Sequence, residues 1–325
     1  MAWSPCSCVN ANFSEASCPG ATPKTAARRA SGYHHDTMND LHTRLLLWYD
    51  DHARVLPWRD ASASPWGVMV SEFMLQQTPV ARVLPVFEDW MRKWPAAADL
   101  AAASTGDAVR AWGRLGYPRR ALRLHQAASA IVSEHSGEVP SSHAALRALP
   151  GVGDYTAAAV AAFAFGQRHA VLDTNVRRVF ARAVSGVEFP ASSVTRAERE
   201  VATALLPEQD ATAARWAVAV MELGALVCTA ASPRCVVCPI SNACAWRSAG
   251  YPEYDGPPRR GQTYAGTDRQ CRGALLSVLR ESHEPVHRSR LEIVWNIEEQ
   301  RTRCLAGLLD DRLAVAIAGD MFALP

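Results

Sequence analysis

Four cysteines lie close together in the segment "CTAASPRCVVCPISNAC". Cys228, Cys235, Cys238 and Cys244 are separated by gaps of six, two and five residues. The N-terminal residues lack the apolar core of a signal peptide, so we expect these thiols to bind metal rather than form disulfides. Structural zinc usually takes two closely spaced cysteine pairs, and this segment has one. A compact run of four cysteines is more typical of a 4Fe-4S cluster.

Two acidic residues occupy positions where a carboxyl group could serve acid–base chemistry. Glu72 lies in "VMVSEFMLQQ", where apolar neighbours would exclude water and raise the pKa of the carboxyl group. Alternatively, Glu72 is only an acidic residue favoured near a helix N-terminus. Asp173 begins "DTNVRRVFAR", where its carboxylate would cap a helix and stay ionised.

A glycine-containing loop precedes an alanine-rich helix in "LPGVGDYTAAAV". Gly151 and Gly153 allow a tight turn just before the helix N-terminus, where free amides attract an anion. A nucleotide P-loop is excluded, because no Lys-Ser or Lys-Thr follows the glycines. A plain turn between two helices, without any ligand, is the structural alternative. Tyr155 lies in the first turn of the helix.

Together these segments resemble the endonuclease III and MutY superfamily of DNA glycosylases. The cysteine spacing is similar to that of its iron–sulfur loop, "LPGVGDYTA" to its helix-hairpin-helix, and "AVLDTNVRRVFAR" to its catalytic aspartate segment. The segments "PWGVMVSEFMLQQTPV" and "LPWR" resemble the MutY branch, whose members remove adenine opposite 8-oxoguanine. The resemblance covers residues 39 to 250, and its motifs agree in order and spacing.

The resemblance implies a reaction that uses both carboxyl groups. Breaking an N-glycosidic bond requires protonation of the leaving base and stabilisation of a cationic sugar, which two carboxyl groups of different protonation state can supply. Glu72 would be the general acid that protonates adenine, at N7, and would later activate water. Asp173 would face the sugar and either stabilise the oxocarbenium ion or bond to it transiently. Helix capping alone is the alternative for Asp173.

The resemblance also implies contacts with a duplex from which the target base is flipped out. Glutamines after the Glu72 segment would fill or probe the gap, the tyrosine of "GRLGYPRRALRLH" would wedge beside the opposite base, and the glycine hairpin would bind backbone phosphate. Pro118 stands where family members commonly have a second aromatic residue. The expected DNA-binding residues are Gln76, Gln77, Tyr117, Gly151, Val152, Gly153 and Arg119. Arginines 114, 119, 120 and 123 form either a phosphate-facing cluster or a solvated helix face.

Tyr155 determines which type of glycosylase is expected. Superfamily members with lysine at this position form a Schiff base with the sugar and nick the strand. The two lysines of the chain, Lys24 and Lys93, match no such motif, so we predict a monofunctional glycosylase. Thymine glycosylases of G·T and G·U mismatches also carry tyrosine there, and a non-catalytic iron–sulfur DNA-binding protein is a further alternative. Glu72 favours adenine, because a purine leaving group requires an acid.

Composition indicates an ordinary packed protein. The 325 residues are 49% hydrophobic and carry a formal net charge of +2, which does not by itself indicate a nucleic-acid partner. Nearly all of the 34 basic residues are arginines, which we attribute to a GC-rich genome. The longest apolar run, residues 157 to 165, is shorter than the roughly 18 residues that a membrane span needs.

Helical periodicity from residue 39 onward predicts a mainly α fold, a two-lobed helix-hairpin-helix DNA glycosylase with an iron–sulfur loop and a small C-terminal α+β module. Helices are predicted at 66–76, 79–93, 104–112, 118–135, 141–149, 154–165, 173–184, 193–205 and 210–226. The domain boundaries are a disordered leader at 1–37, with Met38 as an alternative start, a glycosylase core at 38–250, a linker at 251–268 and a winged-helix-like module at 269–325. Within the core, a six-helix lobe spans about 66–172, and the iron–sulfur lobe combines 38–65 with 173–250.

The partner expected from the resemblance is double-stranded DNA with adenine opposite 8-oxoguanine or guanine. The C-terminal module is less suited to DNA, because its eight arginines are outnumbered by nine acidic residues when Asp268 is included. A protein contact or a contribution to stability is equally expected for it. We expect a monomer of bacterial type, cytoplasmic and nucleoid-associated, without membrane contact.

Overall fold

The computed structural model describes residues 35–256 and 264–325. The first lobe is built from seven helices, which we number α2 to α8. They are α2 (Pro65–Leu75), α3 (Val80–Lys93), α4 (Ala97–Ala102), α5 (Thr105–Trp112), α6 (Arg119–Glu134), α7 (His143–Ala148) and α8 (Asp154–Phe165). The sequence predicted all of them except the short α4, whose alanine-rich stretch carries little periodic signal.

The second lobe combines the start of the chain with residues that follow α8. Its helices are α1 (His35–His52), α9 (Thr174–Phe180), α10 (Arg196–Ala204), α11 (Asp210–Leu226) and α12 (Ala245–Ser248), with short 3-10 turns at Pro57–Arg59, Cys235–Val237 and Ser241–Ala243. The predicted helix at 173–184 changes after α9 into a π-helical turn, Ala181–Ser185. Such turns often occur at functional sites. Helix α1 begins within the predicted leader, and the rest of the leader lies outside the described residues.

The C-terminal module has three helices and a small sheet. They are α13 (Asp268–Glu281), β1 (Val286–His287), α14 (Arg288–Val294), α15 (Glu298–Asp310), β2 (Val315–Ile317) and β3 (Met321–Ala323). The strands are antiparallel in the order β1-β3-β2, with Phe322 opposite both Val286 and Ala316. This is the element order of a winged helix. Residues 257–263 of the predicted linker lie outside the described part of the chain.

The lobes have separate hydrophobic cores. The core of the first lobe, around Trp90 and Trp112, continues into the C-terminal module through Leu275 and Leu308. The core of the second lobe is a different set that includes Trp216. Where the lobes meet, small side chains of α8 and α11 pack together, Ala158, Ala159 and Ala162 against Ala214 and Ala217. Because α8 contacts both α2 and α11, it brings the first lobe against the second beside the start of α9.

Backbone conformation shows why glycine is needed at two positions near this junction. Gly151 has a φ of +77°, and an added Cβ would lie 2.7 Å from the Cβ of Arg123. Gly224 of α11 lies against α9, where an added Cβ would be 2.9 Å from the carbonyl oxygen of Asn175. The first glycine makes the turn of the hairpin, and the second lets α11 approach the residues that follow Asp173. In the described ranges, no helix is long and apolar enough to span a membrane.

Candidate active site

Glu72 lies on α2, which begins at Pro65 after Ser64 caps it by accepting a hydrogen bond from the amide of Gly67 at 3.1 Å. The side chain faces the interior, and the residue is 4% exposed. Burial raises the pKa of Glu72 to about 7, a hydrogen bond from Tyr155 opposes this, and the nearby charge of Asp173 adds to it. Its Oε2 atom has no hydrogen-bond partner in the described part of the chain. A buried carboxyl group that keeps its proton near neutral pH is therefore available.

Tyr155 lies in the first turn of α8 and faces both carboxyl groups. Its hydroxyl donates a hydrogen bond to Glu72. Burial raises the pKa of Tyr155 well above its ordinary value, and the charges of Glu72 and Asp173 raise it further. The phenol therefore stays protonated beside the carboxyl pair and acts as a hydrogen-bond donor.

Asp173 caps α9, as the sequence predicted. Its Oδ1 accepts the amide hydrogen of Val176 at 2.6 Å, and its Oδ2 accepts a hydrogen bond from Asn175 Nδ2 at 2.9 Å. Burial raises the pKa of Asp173, while these hydrogen bonds oppose the rise. The sequence predicted that the cap keeps Asp173 ionised, and the burial that acts against ionisation was not predicted.

A buried ion-pair cluster beside Glu72 was not found from the sequence. Glu222 of α11 is fully buried and accepts hydrogen bonds from Arg54 Nε at 2.7 Å and from Arg59 Nη2 at 2.9 Å. Burial alone would raise the pKa of Glu222, but the arginines outweigh it and lower the pKa to about 2. The charge of Arg59 also lowers the pKa of Glu72. The one available signal was a single acidic residue within the apolar sequence of α11.

Arg59 Nη1 and Glu72 Oε2 are both buried and lack hydrogen-bond partners among the described residues. Buried polar groups are normally paired, and unpaired ones indicate a bound water or a ligand. The N–H of Arg59 and the O–H of protonated Glu72 are both donors, and they suit the acceptor-bearing edge of a polar heterocycle.

A chain of hydrogen bonds connects Asp173 to the cysteine segment. Asn175, which bonds to Asp173, accepts a hydrogen bond from Arg178 Nη2 at 2.8 Å. Arg178 also donates to the carbonyl of Cys228 at 2.7 Å and to that of Gly224 at 2.6 Å. Asn175 and Arg178 lie in the segment that begins with Asp173, but their hydrogen-bond partners could not be predicted from that segment alone.

The four cysteines line one cavity, together with Arg182 and Trp246. Arg182 is 1% exposed and donates to Cys228 Sγ at 3.4 Å and to the carbonyl of Thr229 at 2.7 Å. Burial raises the pKa of Cys238 to about 12, and the other three sulfurs contribute by repulsion. Bound metal would reverse this, because a coordinating thiol is deprotonated.

The four thiols that line this cavity are a set of donors that metals prefer. Cysteine thiolates are soft ligands, which bind zinc and iron–sulfur clusters. The residues of the cavity therefore fit a metal centre.

Two of the residues expected to contact DNA have an unusual backbone. Gln77 and Tyr117 have φ values of +56° and +46°, in the left-handed region that non-glycine residues rarely adopt. Tyr117 is 44% exposed, and Gln77 is also exposed. Gln76 is half-buried and donates to Thr156 Oγ1 on α8 at 3.4 Å. Strain of this kind is concentrated at functional sites.

Arg120 corrects the expected arginine cluster. It is 5% exposed, and Nη1 donates to the carbonyls of Phe73 and Gln76, both at 2.7 Å, while Nη2 donates to Gly116 at 3.0 Å. The prediction that it faces phosphate is wrong, because the side chain points inward and joins the end of α2 to the Tyr117 loop.

The other three arginines of the expected cluster, Arg114, Arg119 and Arg123, are exposed. Arg119 pairs with Asp311 of the C-terminal module at 3.3 Å, and the stem of Arg123 packs beside Gly151. Arg119 and Arg123 lie one turn apart on the same face of α6. The structure therefore removes only Arg120 from the expected set.

The glycine hairpin lies between α7 and α8. Gly151 and Gly153 are exposed, whereas Val152 is buried and its amide donates to the carbonyl of Leu149 at 3.1 Å. The amides of Gly151 and Gly153 donate to no backbone carbonyl in the part of the chain that the structure describes. These two amides, and not that of Val152, are available to an anion.

The helix-hairpin-helix beside a carboxyl pair and a four-cysteine cavity defines a class of base excision repair proteins. Residues 70–203 match the model of the HhH-GPD superfamily of base excision DNA repair proteins. Among solved structures, a thermostable thymine-DNA glycosylase is similar with a TM-score of 0.59 at 25% identity, covering 65% of this chain and 97% of that one. An endonuclease III in complex with DNA has a TM-score of 0.56 at 20% identity, covering 66% and 97%.

Proteins that are more similar in sequence show which family within the superfamily the chain belongs to. The adenine DNA glycosylase of Mycobacterium tuberculosis H37Rv is 55% identical over 87% of this chain and 93% of that protein. The human adenine DNA glycosylase is 38% identical over 70% of this chain and 45% of its own length. A thymine/uracil-DNA glycosylase of Pyrobaculum aerophilum is 34% identical over 61% of this chain and 87% of that protein. The chain belongs to the adenine DNA glycosylase family, the MutY branch of the superfamily.

Proposed function

We propose that this protein hydrolyses the N-glycosidic bond of adenine opposite 8-oxoguanine or guanine and leaves an intact strand with an abasic site. The observation that carries the proposal is a buried Glu72 whose pKa is raised to about 7, in contact with Tyr155 and close to Asp173. A general acid works best when its pKa lies near the working pH. Asp173, already held by two hydrogen-bond donors, supplies the second carboxyl group.

The proposed roles of Glu72, Asp173 and Tyr155 differ because their surroundings differ. Protonated Glu72 donates its proton to N7 of the flipped adenine, and the C1′–N9 bond breaks with its electron pair passing to the base. The sugar becomes an oxocarbenium ion, which the carboxylate of Asp173 stabilises electrostatically. The resulting Glu72 carboxylate then accepts a proton from water as the water oxygen bonds to C1′. Tyr155 holds Glu72 in place and contributes no nucleophile.

Two unpaired atoms, one of Glu72 and one of Arg59, would recognise the edge of the base. Glu72 Oε2 and Arg59 Nη1 are buried without partners in the described chain, and Glu222 fixes Arg59 through a hydrogen bond of 2.9 Å. A flipped purine would satisfy both atoms. Thymine has fewer ring acceptors to protonate, so this site favours adenine.

Cys228, Cys235, Cys238 and Cys244 would hold a 4Fe-4S cluster. The support is that all four line one cavity and that their spacing in the sequence is similar to that of the iron–sulfur loop of the superfamily. When bound, the cluster orders the loop between α11 and α12 and contributes no atom to the hydrolysis. Arg182, buried against Cys228, would offset part of the negative charge of the thiolates.

DNA would lie across the hairpin and the strained loops. The amides of Gly151 and Gly153 would bind a backbone phosphate beside the N-terminus of α8. Exposed Tyr117 and Gln77 would enter the duplex where the adenine leaves it, and Gln76 would support them from α2. We infer the same division of the chain as the sequence predicted, with lobes near 66–172 and 38–65 plus 173–250.

The test is single-turnover base release from duplexes that contain A·8-oxoguanine or G·T. Wild type should release adenine and leave the strand unbroken until alkali is added. Glu72→Gln and Asp173→Asn should bind the duplex but lose at least about 100-fold in rate, the lower range for a general acid. The control Glu134→Gln removes an exposed carboxylate and should keep the wild-type rate.

Two outcomes would contradict the proposal. Preferential release of thymine from G·T would assign the protein to the thymine branch, which relatives such as the Pyrobaculum glycosylase represent. Rates within tenfold of wild type for Glu72→Gln would show that another group protonates the base.

A further inference from the structure

The C-terminal module has the order of a winged helix, yet its surface does not suit DNA. In DNA-binding helix-turn-helix proteins, the second helix of the motif enters the major groove with its N-terminal residues. Here that helix is α15, and it begins with Glu298 and Glu299, both exposed. Neither carboxylate takes part in an ion pair among the residues that the structure describes. Phosphates would be repelled at the point where a recognition helix would enter.

Four of the eight arginines of the module form ion pairs with its own carboxylates. Arg303 pairs with Asp268 at 2.9 Å, and Arg288 pairs with Asp320 at 2.7 Å. Arg272 pairs with Asp311, which also receives Arg119 from the first lobe. Neutralised arginines release few counterions on binding, and counterion release is the main source of affinity for DNA.

Next to the acidic start of α15 lies an exposed apolar surface, which we call the corner patch. It consists of Ile293, Val294 and Ile297, which are 82%, 39% and 54% exposed. These three side chains occupy the corner between α14 and α15. Exposing apolar side chains to water is unfavourable. A cluster of exposed apolar residues therefore indicates a contact surface, whereas isolated ones do not.

The corner is held rigidly. Trp295 lies between the exposed residues but packs against the core, and its Nε1 donates to Gln300 at 2.9 Å. Its carbonyl accepts a hydrogen bond from Arg301 at 2.7 Å. A preorganised surface loses little conformational entropy on binding, which favours association.

The corner patch is also far from the Tyr117 loop. The opposite end of α15 reaches the first lobe through Asp311 and Arg119. Thirteen residues separate the ends of the helix, a length of about 18 Å at 1.5 Å per residue. A molecule at the corner would therefore leave the Tyr117 surface accessible.

We propose that the corner patch docks a segment of another protein, an amphipathic segment whose apolar side chains are flanked by lysine or arginine. The apolar centre of the patch is bordered by Glu298 and Glu299, which take part in no ion pair among the described residues, and by Glu292, which pairs with Arg301 at 3.8 Å. A basic rim complements the two unpaired carboxylates, and an acidic one does not. The module thus attaches the enzyme to a protein partner and does not read DNA. This goes beyond the proposed chemistry and does not depend on it.

The probes are two synthetic helical peptides with the same leucine spacing, one with lysine and one with glutamate flanks. Fluorescence anisotropy with the full chain should show binding of the lysine peptide, weakened by added salt, and at least tenfold weaker binding of the glutamate peptide. Ile293→Ser with Ile297→Ser should weaken the lysine peptide at least tenfold. Glu298→Lys with Glu299→Lys should reverse the charge preference. The control Leu47→Ser, at a residue 61% exposed on α1, should bind like wild type.

Three results would overturn the inference. Equal binding of the lysine peptide by wild type and both double variants would show that the corner patch is not the docking surface. A tenfold loss of duplex affinity in the isoleucine double variant would show that the patch faces DNA. Sedimentation of wild type as a dimer that the isoleucine variant converts to monomer would show that a second copy of the chain covers it.

Discussion

Replacing Glu72 with glutamine should abolish base release and yet stabilise the fold at high pH. In an unfolded chain Glu72 has a pKa of 4.5, and in the folded protein burial raises it to about 7. The folded state therefore binds more protons between these values, so its stability falls as the pH rises from 4.5 towards 7. The full penalty applies above the folded pKa, where the carboxyl group is charged in both states. Glutamine has the same shape and does not titrate.

The magnitude follows from the two pKa values. The difference between a pKa of 4.5 and one of about 7 corresponds to roughly 3 kcal/mol once the carboxyl group is ionised in both states. At pH 5.5 the same linkage amounts to roughly 1 kcal/mol, so Glu72→Gln should gain about 2 kcal/mol relative to wild type between pH 5.5 and pH 8.5. The difference between pH values removes any constant effect of exchanging a carboxyl group for an amide.

The assay is urea unfolding of wild type and Glu72→Gln at both pH values. Glu134→Gln is the matched control, because its carboxylate is exposed and should show no such pH-dependent gain. The reasoning is refuted if the stability difference between Glu72→Gln and wild type is the same at both pH values. That result would mean that Glu72 is ionised normally in the folded protein and cannot act as an acid at neutral pH.

Three further predictions concern residues close to Glu72 or in contact with the helix that Asp173 caps. Arg59→Gln removes a charge that lowers the pKa of Glu72. The falling limb of the single-turnover pH profile, near pH 7 in wild type, should therefore move to higher pH. An unchanged limb would show that Arg59 does not influence the ionisation of Glu72. Tyr155→Lys should gain a Schiff base that borohydride traps, because burial lowers the pKa of a lysine amine; a folded, DNA-binding variant without adduct would show that position 155 does not face the sugar. Gly224→Ala should cost about 1–3 kcal/mol of stability by overpacking and slow base release, since the new Cβ meets the backbone of Asn175; wild-type stability would show that α9 can shift freely.

Features set by local sequence were predictable. The apolar neighbours of Glu72 are on the same helix, and Asp173 caps the helix that it begins, so a short window contains the physical cause. The Arg59–Glu222 pair joins residues 163 positions apart, and nothing in either segment identifies the other. Asp173 likewise lies close to Glu72 and Tyr155, which are distant from it in sequence, and its raised pKa comes from burial in the folded protein.

Arg120 is absent from the expected arginine cluster for a geometric reason. Arg119 and Arg120 are adjacent in sequence, but successive residues of an α-helix point about 100° apart. One therefore faces solvent and Asp311, while the other enters the protein beneath the Tyr117 loop. Charge counted along a sequence does not indicate which face each side chain occupies.

The excess of arginine over lysine has a structural use that composition did not suggest. The last carbonyls of an α-helix lack partners within the helix. Arg120 donates to the carbonyls of Phe73 and Met74 at the end of α2, and Arg178 donates to that of Gly224 near the end of α11. Each guanidinium presents several fixed donors, so one side chain can join a helix end to a separate loop, whereas a lysine offers a single point charge. Lysine in place of Arg120 would leave part of this carbonyl set unpaired, and the Tyr117 loop would lose its connection to the helix that carries Glu72.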